Sequence, residues 1–215
     1  MNPTQWWDER ALPVLVDLAL GESTSGPWRA TACADLVGDV LEVGFGSGRN
    51  LPHYPATVCR VLAVEPADRS WARARDRITA FEGSPGACPD RRVERIGLDG
   101  ARLPVPDGSV DAVVSTWTLC TIPEITGALG EARRVLRPGG ELRFVEHTRA
   151  SRPGVARFQE GIQPAWGRLA GGCHLDRDIL GLLDACGFEV TPGRSSSAGA
   201  LELAPFVSGR ARVRT

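Results

Sequence analysis

Lysine is absent: all 25 cationic side chains of the chain are arginine. That excludes mechanisms needing a lysine amine, such as Schiff-base chemistry, a pyridoxal enzyme or a phosphate-binding Gly-Lys-Ser/Thr loop. GC-rich codons, which favour Arg over Lys, account for the bias itself. The six cysteines (Cys33, Cys59, Cys88, Cys120, Cys173, Cys186) form no CxxC pair, so zinc-ligand spacing is missing and no metal site is expected. The N-terminus lacks a basic region followed by an apolar one, and disulfides are not expected either. Apolar runs such as Leu12–Val16 and Ala112–Val114 are far short of the ~20 residues a membrane helix needs. The reading is a cytoplasmic protein with no transmembrane anchor. Charge of one sign is also lacking: a formal net charge of −1 gives no reason to expect nucleic acid or an acidic membrane as partner.

What is present suits one domain. A chain of 215 residues has room for a full core, and an apolar fraction of 42% leaves little space for disorder. Trp6, Leu12, Leu15, Val16, Ala19 and Leu20 recur at threes and fours, which predicts a helix over about 5–20, capped by Thr4 and ended by Gly21. Pro27 at a first-turn position predicts a second helix from Pro27 to Leu36. Residues 1–38 are thus an N-terminal helical segment, a candidate lid, and 39–215 the main domain.

From there, short apolar runs alternate with helical ones. Strands are predicted at Asp39–Val43, Val58–Val64, Val93–Leu98, Asp111–Thr116 and Glu141–Glu146, with helices at Ser70–Phe81 and Glu124–Leu136. Arg137-Pro-Gly-Gly140 supplies the turn into the fifth strand. Such alternation means a parallel sheet with helices on both faces. A helix at Asp176–Cys186, closed by Gly187, is followed by strands at Phe188–Thr191 and Ala200–Val207. Pro192-Gly193 and Ser195–Ser197 provide the turn of an antiparallel hairpin.

Ligands of open α/β sheets bind at the carboxyl ends of the strands, and Gly44-Phe45-Gly46-Ser-Gly48 ends the first strand. A GxGxG alone is weak. Glu42, two residues before it, would repel a pyrophosphate but welcomes the ammonium of a methionine moiety. Glu65, followed by Pro66, ends the second strand 21 positions after Gly44, where a carboxylate can accept both ribose hydroxyls. Asp99, with the backbone of Gly100 and Ala101, is placed to meet an adenine. These features select S-adenosylmethionine (SAM). A nicotinamide oxidoreductase is the competing enzyme reading, but its GxGxxG is not met because Gly48 is followed by Arg49. A non-catalytic SAM-binding protein is the competing reading outside enzymes.

On three stretches the sequence resembles the class I SAM-dependent methyltransferases of the ubiquinone and phospholipid type: Val40–Gly48, Leu103–Val114 and Arg134–Leu142. The resemblance implies a Rossmann-like class I methyltransferase fold, an α/β architecture with a mostly parallel seven-stranded sheet and a C-terminal antiparallel hairpin. It covers about residues 39–146. Further on, Thr118–Ile122, Val145–His147, Gln163–Trp166 and Gly171–Leu175 resemble a methyltransferase-like group whose animal members are membrane-anchored alkyl-thiol S-methyltransferases. This chain departs from those members in having Gln5-Trp-Trp-Asp8 where they carry a hydrophobic anchor.

The expected partner is a small-molecule acceptor. A thiol comes first, since a pKa of ~8.5 leaves it partly ionised near neutrality; an oxygen or nitrogen acceptor of quinone, phenol or lipid type comes second. His147, after Glu146 at the end of the fifth strand, is the candidate base. Thr116 and Trp117, with Thr118, follow the fourth strand where the methyl group would lie. Cys120 and Cys173 read as packing residues with no third ligand nearby in sequence, and His174 as a pocket residue. No surface stripe marks an oligomer interface.

Overall fold

The structure, a computed structural model, describes residues 21–97, 99–196 and 203–214. The helix expected over 5–20, part of the candidate lid, lies outside them. In chain order the elements are α1 (Glu22–Cys33), β1 (Gly38–Val43), β2 (Val58–Val64), α2 (Asp68–Arg73), α3 (Arg75–Glu82), β3 (Arg92–Gly97), β4 (Val110–Thr116), α4 (Ile125–Val135), β5 (Leu136–His147), α5 (Pro153–Leu169), α6 (Ile179–Ala185), β6 (Phe188–Ser196) and β7 (Phe206–Val213).

The strands form one sheet of seven in the order β3-β2-β1-β4-β5-β7-β6. The first five are parallel, and β7 runs antiparallel to both β5 and β6. The order reverses between β1 and β4, so the cleft for a ligand lies at the carboxyl ends of those two strands. Alternation of side chains divides the core. Leu41, Val43, Leu62 and Val113 pack with Leu129, Phe144, Ile179, Leu183 and Phe188 on one face. Val40, Val61, Ala63 and Val114 pack with Cys33, Leu36, Tyr54 and Phe81 on the other. Glu42 has the parity of Val40, so the pleat directs it into the second layer.

Several boundaries differ from the sequence expectation, each for a physical reason. The helix expected at Pro27–Leu36 starts at Glu22, so Pro27 sits inside it. The run Ser70–Phe81 is two helices, because the Ala74 N–H bonds back only three residues, to Trp71, and tightens the turn there. Leu136 already pairs with Val110, so Arg137–Gly140 is an irregularity inside the β5 ladder and not a free turn. Pro192-Gly193 lies within β6, at a register shift, as an edge strand permits. The last strand was expected at Ala200–Val207, part of which is outside the described residues. It runs instead from Phe206 to Val213, with His147 opposite Phe206 and Glu141 opposite Arg212.

Two elements were not anticipated. Helix α5 is one; its inward positions include Gln159, fully buried, whose amide accepts from Ala150 N and donates to the carbonyls of Thr148 and Leu203. A polar residue on the core face broke the apolar period. The other is a Cys59–Cys88 disulfide with Cα atoms 5.2 Å apart, which corrects the expectation of none. β2 and the loop before β3 bring the pair within bridging range, a proximity 29 residues of separation conceal.

Phe144 is fully buried at the centre of the larger layer, whereas Phe158 on α5 is 47% exposed. Phe144→Ala is expected to destabilise by about 3–5 kcal/mol, and Phe158→Ala by no more than about 0.5 kcal/mol. Urea unfolding should show the difference as a shifted midpoint at unchanged slope.

Candidate active site

The glycine loop leaves β1 with Gly44, Gly46 and Gly48 all at left-handed φ, +74°, +58° and +72°. At Gly44 this is compounded by contact: a Cβ there would collide with the Thr118 side chain. The loop after β1 and the loop after β4 therefore touch through a bare backbone. Glu65, at the end of β2, clamps the glycine loop from the other side. Its carboxylate accepts from Gly46 N at 2.6 Å and from Ala67 N at 2.7 Å, and burial raises its pKa against those two bonds.

Glu42 is 1% exposed and enclosed, not open at the rim. One oxygen accepts from Asn50 Nδ2 at 3.0 Å and the other from the Tyr54 hydroxyl at 2.6 Å. Arg29, reaching in from α1, donates to Asn50 Oδ1 at 2.8 Å and Thr116 Oγ1 at 2.9 Å, and Asn50 also donates to Thr116. Burial pushes the Glu42 carboxyl up to about 7, while the bonds from Tyr54 and Asn50 and the Arg29 charge oppose that shift. Burial likewise lowers the Arg29 pKa.

Trp117 is the one bulky side chain at positive φ on this rim, at +53°. Such a backbone costs on the order of 1 kcal/mol or more and persists only where its surroundings hold it. Here its N–H donates to Val145 O at 2.7 Å, Arg29 lies 4.9 Å above its ring, and Phe206 meets it edge-on at 5.4 Å. Its indole Nε1 is buried with no hydrogen-bond partner among the described residues.

Glu146, fully buried at the end of β5, holds the loop that follows. It accepts from Ser115 Oγ at 2.7 Å and from the N–H groups of Thr118 and Cys120 at 3.1 Å each. The next residue, His147, turns Nδ1 toward Cys173 Sγ at 3.5 Å and Cys120 Sγ at 3.8 Å, the two sulfurs being 3.7 Å apart. The Cys120 thiol, hydrogen-bonded to Cys173 and buried, is held up, whereas Cys173, sharing that bond and facing His147, is held down. The reading of Cys120 and Cys173 as packing residues with no third ligand is thereby revised, since His147 arrives from a different strand. His174 is half-exposed and lies 3.6 Å from Asp176, while its backbone N–H donates to Cys120 O.

Asp99 is exposed and accepts from Ala101 N at 2.9 Å; Gly100 packs its backbone against Val43. Arg29, Asn50, Tyr54 and Glu146 were not singled out from sequence. Arg29 is one arginine among 25, but Glu146, a carboxylate flanked by Val145 in an apolar strand, carries the same signal as Glu42.

Sheet order, glycine loop and rim are those of the class I methyltransferases. A family model described as a methyltransferase domain matches residues 41–144. A ubiquinone/menaquinone biosynthesis C-methyltransferase of Methylobacterium nodulans is 31% identical over 195 residues, 87% of this chain and 69% of the relative. The chain belongs to this methyltransferase domain family. A thiol S-methyltransferase of Homo sapiens is 35% identical over 155 residues, 69% of this chain. The match spans 59% of that relative's own length. Among solved structures, a SAM-dependent methyltransferase of Thermotoga maritima, described as a possible histamine N-methyltransferase, gives a TM-score of 0.67 at 23% identity. That likeness covers 96% of this chain and 98% of the other. Family and fold imply S-adenosylmethionine as the cofactor, and the bare glycine loop and the unpaired Trp117 N–H fit it. Among the described residues no helix is long and apolar enough to cross a membrane.

Glu42 sets a pH dependence. Its folded pKa of about 7 lies above the ordinary 4.5, so the folded state holds the proton more tightly than the unfolded chain. Its contribution to stability is full below the unfolded value and is lost as pH rises through the folded one. Urea titrations between about pH 5 and 8 should show a loss on the order of 3 kcal/mol that Glu42→Gln flattens.

Proposed function

We propose that the protein methylates the sulfur of a small-molecule thiol, using S-adenosylmethionine. The observation that carries the cofactor half is the meeting of the glycine loop, Glu65 and the unpaired Trp117 N–H at the strand ends where the sheet order reverses. The backbone of Gly44, Phe45, Gly46 and Gly48 receives the methionine end, with Glu42 beneath it as the counter-charge to the ammonium. Arg29 and Trp117 Nε1 supply donors for the carboxylate. Glu65 and Pro66 take the ribose, Asp99, Gly100 and Ala101 the adenine, and Thr116 and Trp117 border the methyl group. When bound, the cofactor supplies an electrophilic methyl carbon, whose bond to its sulfonium sulfur breaks with the electron pair as the acceptor's sulfur bonds to it.

The thiol half rests on the 35% identity to a thiol S-methyltransferase and on the position of His147. Phe206 contacts both the His147 ring, at 4.7 Å, and the Trp117 ring, so the histidine stands one aromatic side chain away from the cleft. There it is placed to assist ionisation of the acceptor thiol. An acceptor already partly ionised needs little more than this, with orientation and exclusion of water. The identity to a quinone-biosynthesis C-methyltransferase supports a second reading, a quinone-type acceptor.

Calorimetry is expected to show binding of S-adenosylmethionine and S-adenosylhomocysteine and none of NAD; NAD binding alone would end this reading. Alkyl thiols should then release S-adenosylhomocysteine. His147→Ala should lower that turnover by about 10²–10⁴-fold at unchanged cofactor affinity. Equal turnover over a pH series would remove His147 from the mechanism.

A further inference from the structure

Two thiols and an imidazole that converge on one point can do more than pack. The atoms concerned are Cys120 Sγ, Cys173 Sγ and His147 Nδ1, and the three separations are 3.7, 3.8 and 3.5 Å. A zinc ion bound at ~2.3 Å by sulfur and ~2.0–2.1 Å by nitrogen, with tetrahedral angles, needs S···S of ~3.8 Å and S···N of ~3.6 Å. The triangle on the rim has those edges before any ion enters. We propose that Cys120, His147 and Cys173 form a binding site for zinc, or another d10 cation of similar softness, with three protein ligands and an open fourth position.

The elements behind the triangle are built to hold it. Cys120 is fixed by its N–H bond to buried Glu146, and its carbonyl accepts from His174 N at 2.8 Å, which ties the two cysteine loops together. Cys173 follows Gly171 and Gly172, both at left-handed φ, +61° and +86°. Its carbonyl accepts from Gln163 Nε2 and its N–H bonds to Ala170 O. His147 is locked in the β5–β7 ladder opposite Phe206. Supporting bonds of this kind orient ligands and tune affinity. Two thiolates and a neutral imidazole cancel the double charge of the ion, which suits a pocket walled by Leu175, Trp166 and Phe206.

No fourth Cys, His, Asp or Glu joins the triangle among the described residues. Three protein ligands with an open position are the pattern of a reactive zinc site, not of a closed structural one. The ligand of matching softness is a thiolate. Resting on the thiol-acceptor reading above, the fourth position takes the acceptor: a zinc–sulfur bond forms as the S–H bond breaks, and the proton leaves to solvent. His147 then assists ionisation as a ligand and takes no proton itself. The site adjoins the cofactor cleft because Cys120 shares its loop with Thr118, which touches Gly44.

The protein, purified with a phosphine reductant in place of thiols, should carry or accept one equivalent of zinc by elemental analysis. Cobalt(II) added to the metal-free protein should give thiolate-to-cobalt charge transfer and the intense visible bands of tetrahedral coordination. Cys120→Ser and Cys173→Ser should each weaken cobalt binding by at least ~100-fold, with S-adenosylmethionine affinity retained as proof of folding. Cys186→Ser should leave cobalt binding unchanged. Protein that binds S-adenosylmethionine but takes up neither ion, or holds a Cys120–Cys173 disulfide in their place, would overturn the site. So would cobalt binding indifferent to both serine variants. Adding 2-mercaptoethanol to the cobalt form should shift its spectrum saturably, as entry at the fourth position requires. A cobalt site that no thiol perturbs, in a protein that methylates no thiol, would overturn the acceptor reading and leave the site standing. Undiminished thiol methylation after chelation would overturn activation of the acceptor by the metal and leave the thiol reading standing.

Discussion

The grip of Glu146 on the loop after β4 is the constraint on which the rim depends. One buried carboxylate accepts from a β4 hydroxyl and from two loop amides, and burial drives its pKa upward against those bonds. A carboxylate so placed is stable only while its donors stay in position, since an unpaired buried charge costs several kcal/mol. The loop therefore has one geometry. In that geometry Trp117 is forced to positive φ, Thr118 rests on the bare backbone of Gly44, and the Cys120 sulfur arrives beside His147. The cofactor cleft and the sulfur–imidazole triangle are two faces of one anchored segment.

Glu42 repeats the device one strand pair away. There the donors are side chains, Asn50 and Tyr54, and a guanidinium completes the network through Thr116. The two carboxylates differ in what they organise. Glu146 shapes backbone, whereas Glu42 stores a charge whose ionisation is sensitive to whatever cation approaches from the glycine loop.

The parts of the molecule legible in the sequence were those governed by local pattern. β2 is legible at Val58–Val64 as it stands, and β1 and β4 within a residue, because buried parallel strands are continuous apolar runs bounded by turns; β3, a half-buried edge strand, is also placed within a residue. Gly44-Phe-Gly-Ser-Gly48 is legible because glycine takes the left-handed φ at Gly44, Gly46 and Gly48 without the strain a side chain would bring. The residues that escaped are those whose role exists only across distance. Arg29 meets Thr116 over 87 positions, Cys120 meets Cys173 over 53, and Cys59 meets Cys88 across the edge of the sheet. Helix α5 escaped because its core face carries glutamines, which serve as backbone caps for the flanking loops. β7 was displaced because Arg210 and Arg212, alternating with Ala211 and Val213, gave an antiparallel strand the look of a polar tail.

The position of β7 has a consequence for how the chain reaches this state. It follows β6 in sequence yet lies between β5 and β6, with both of its edges paired. Until residues 206–213 are available, β5 presents an open edge beside the finished parallel core, and β6 has no neighbour to bond. A growing chain would pass through a stage in which most of the sheet can be built but its growing side remains adhesive toward other strands. Closure is a single late insertion, and it brings Phe206 against His147 and Trp117. The act that seals the sheet also sets the wall between the two halves of the active rim.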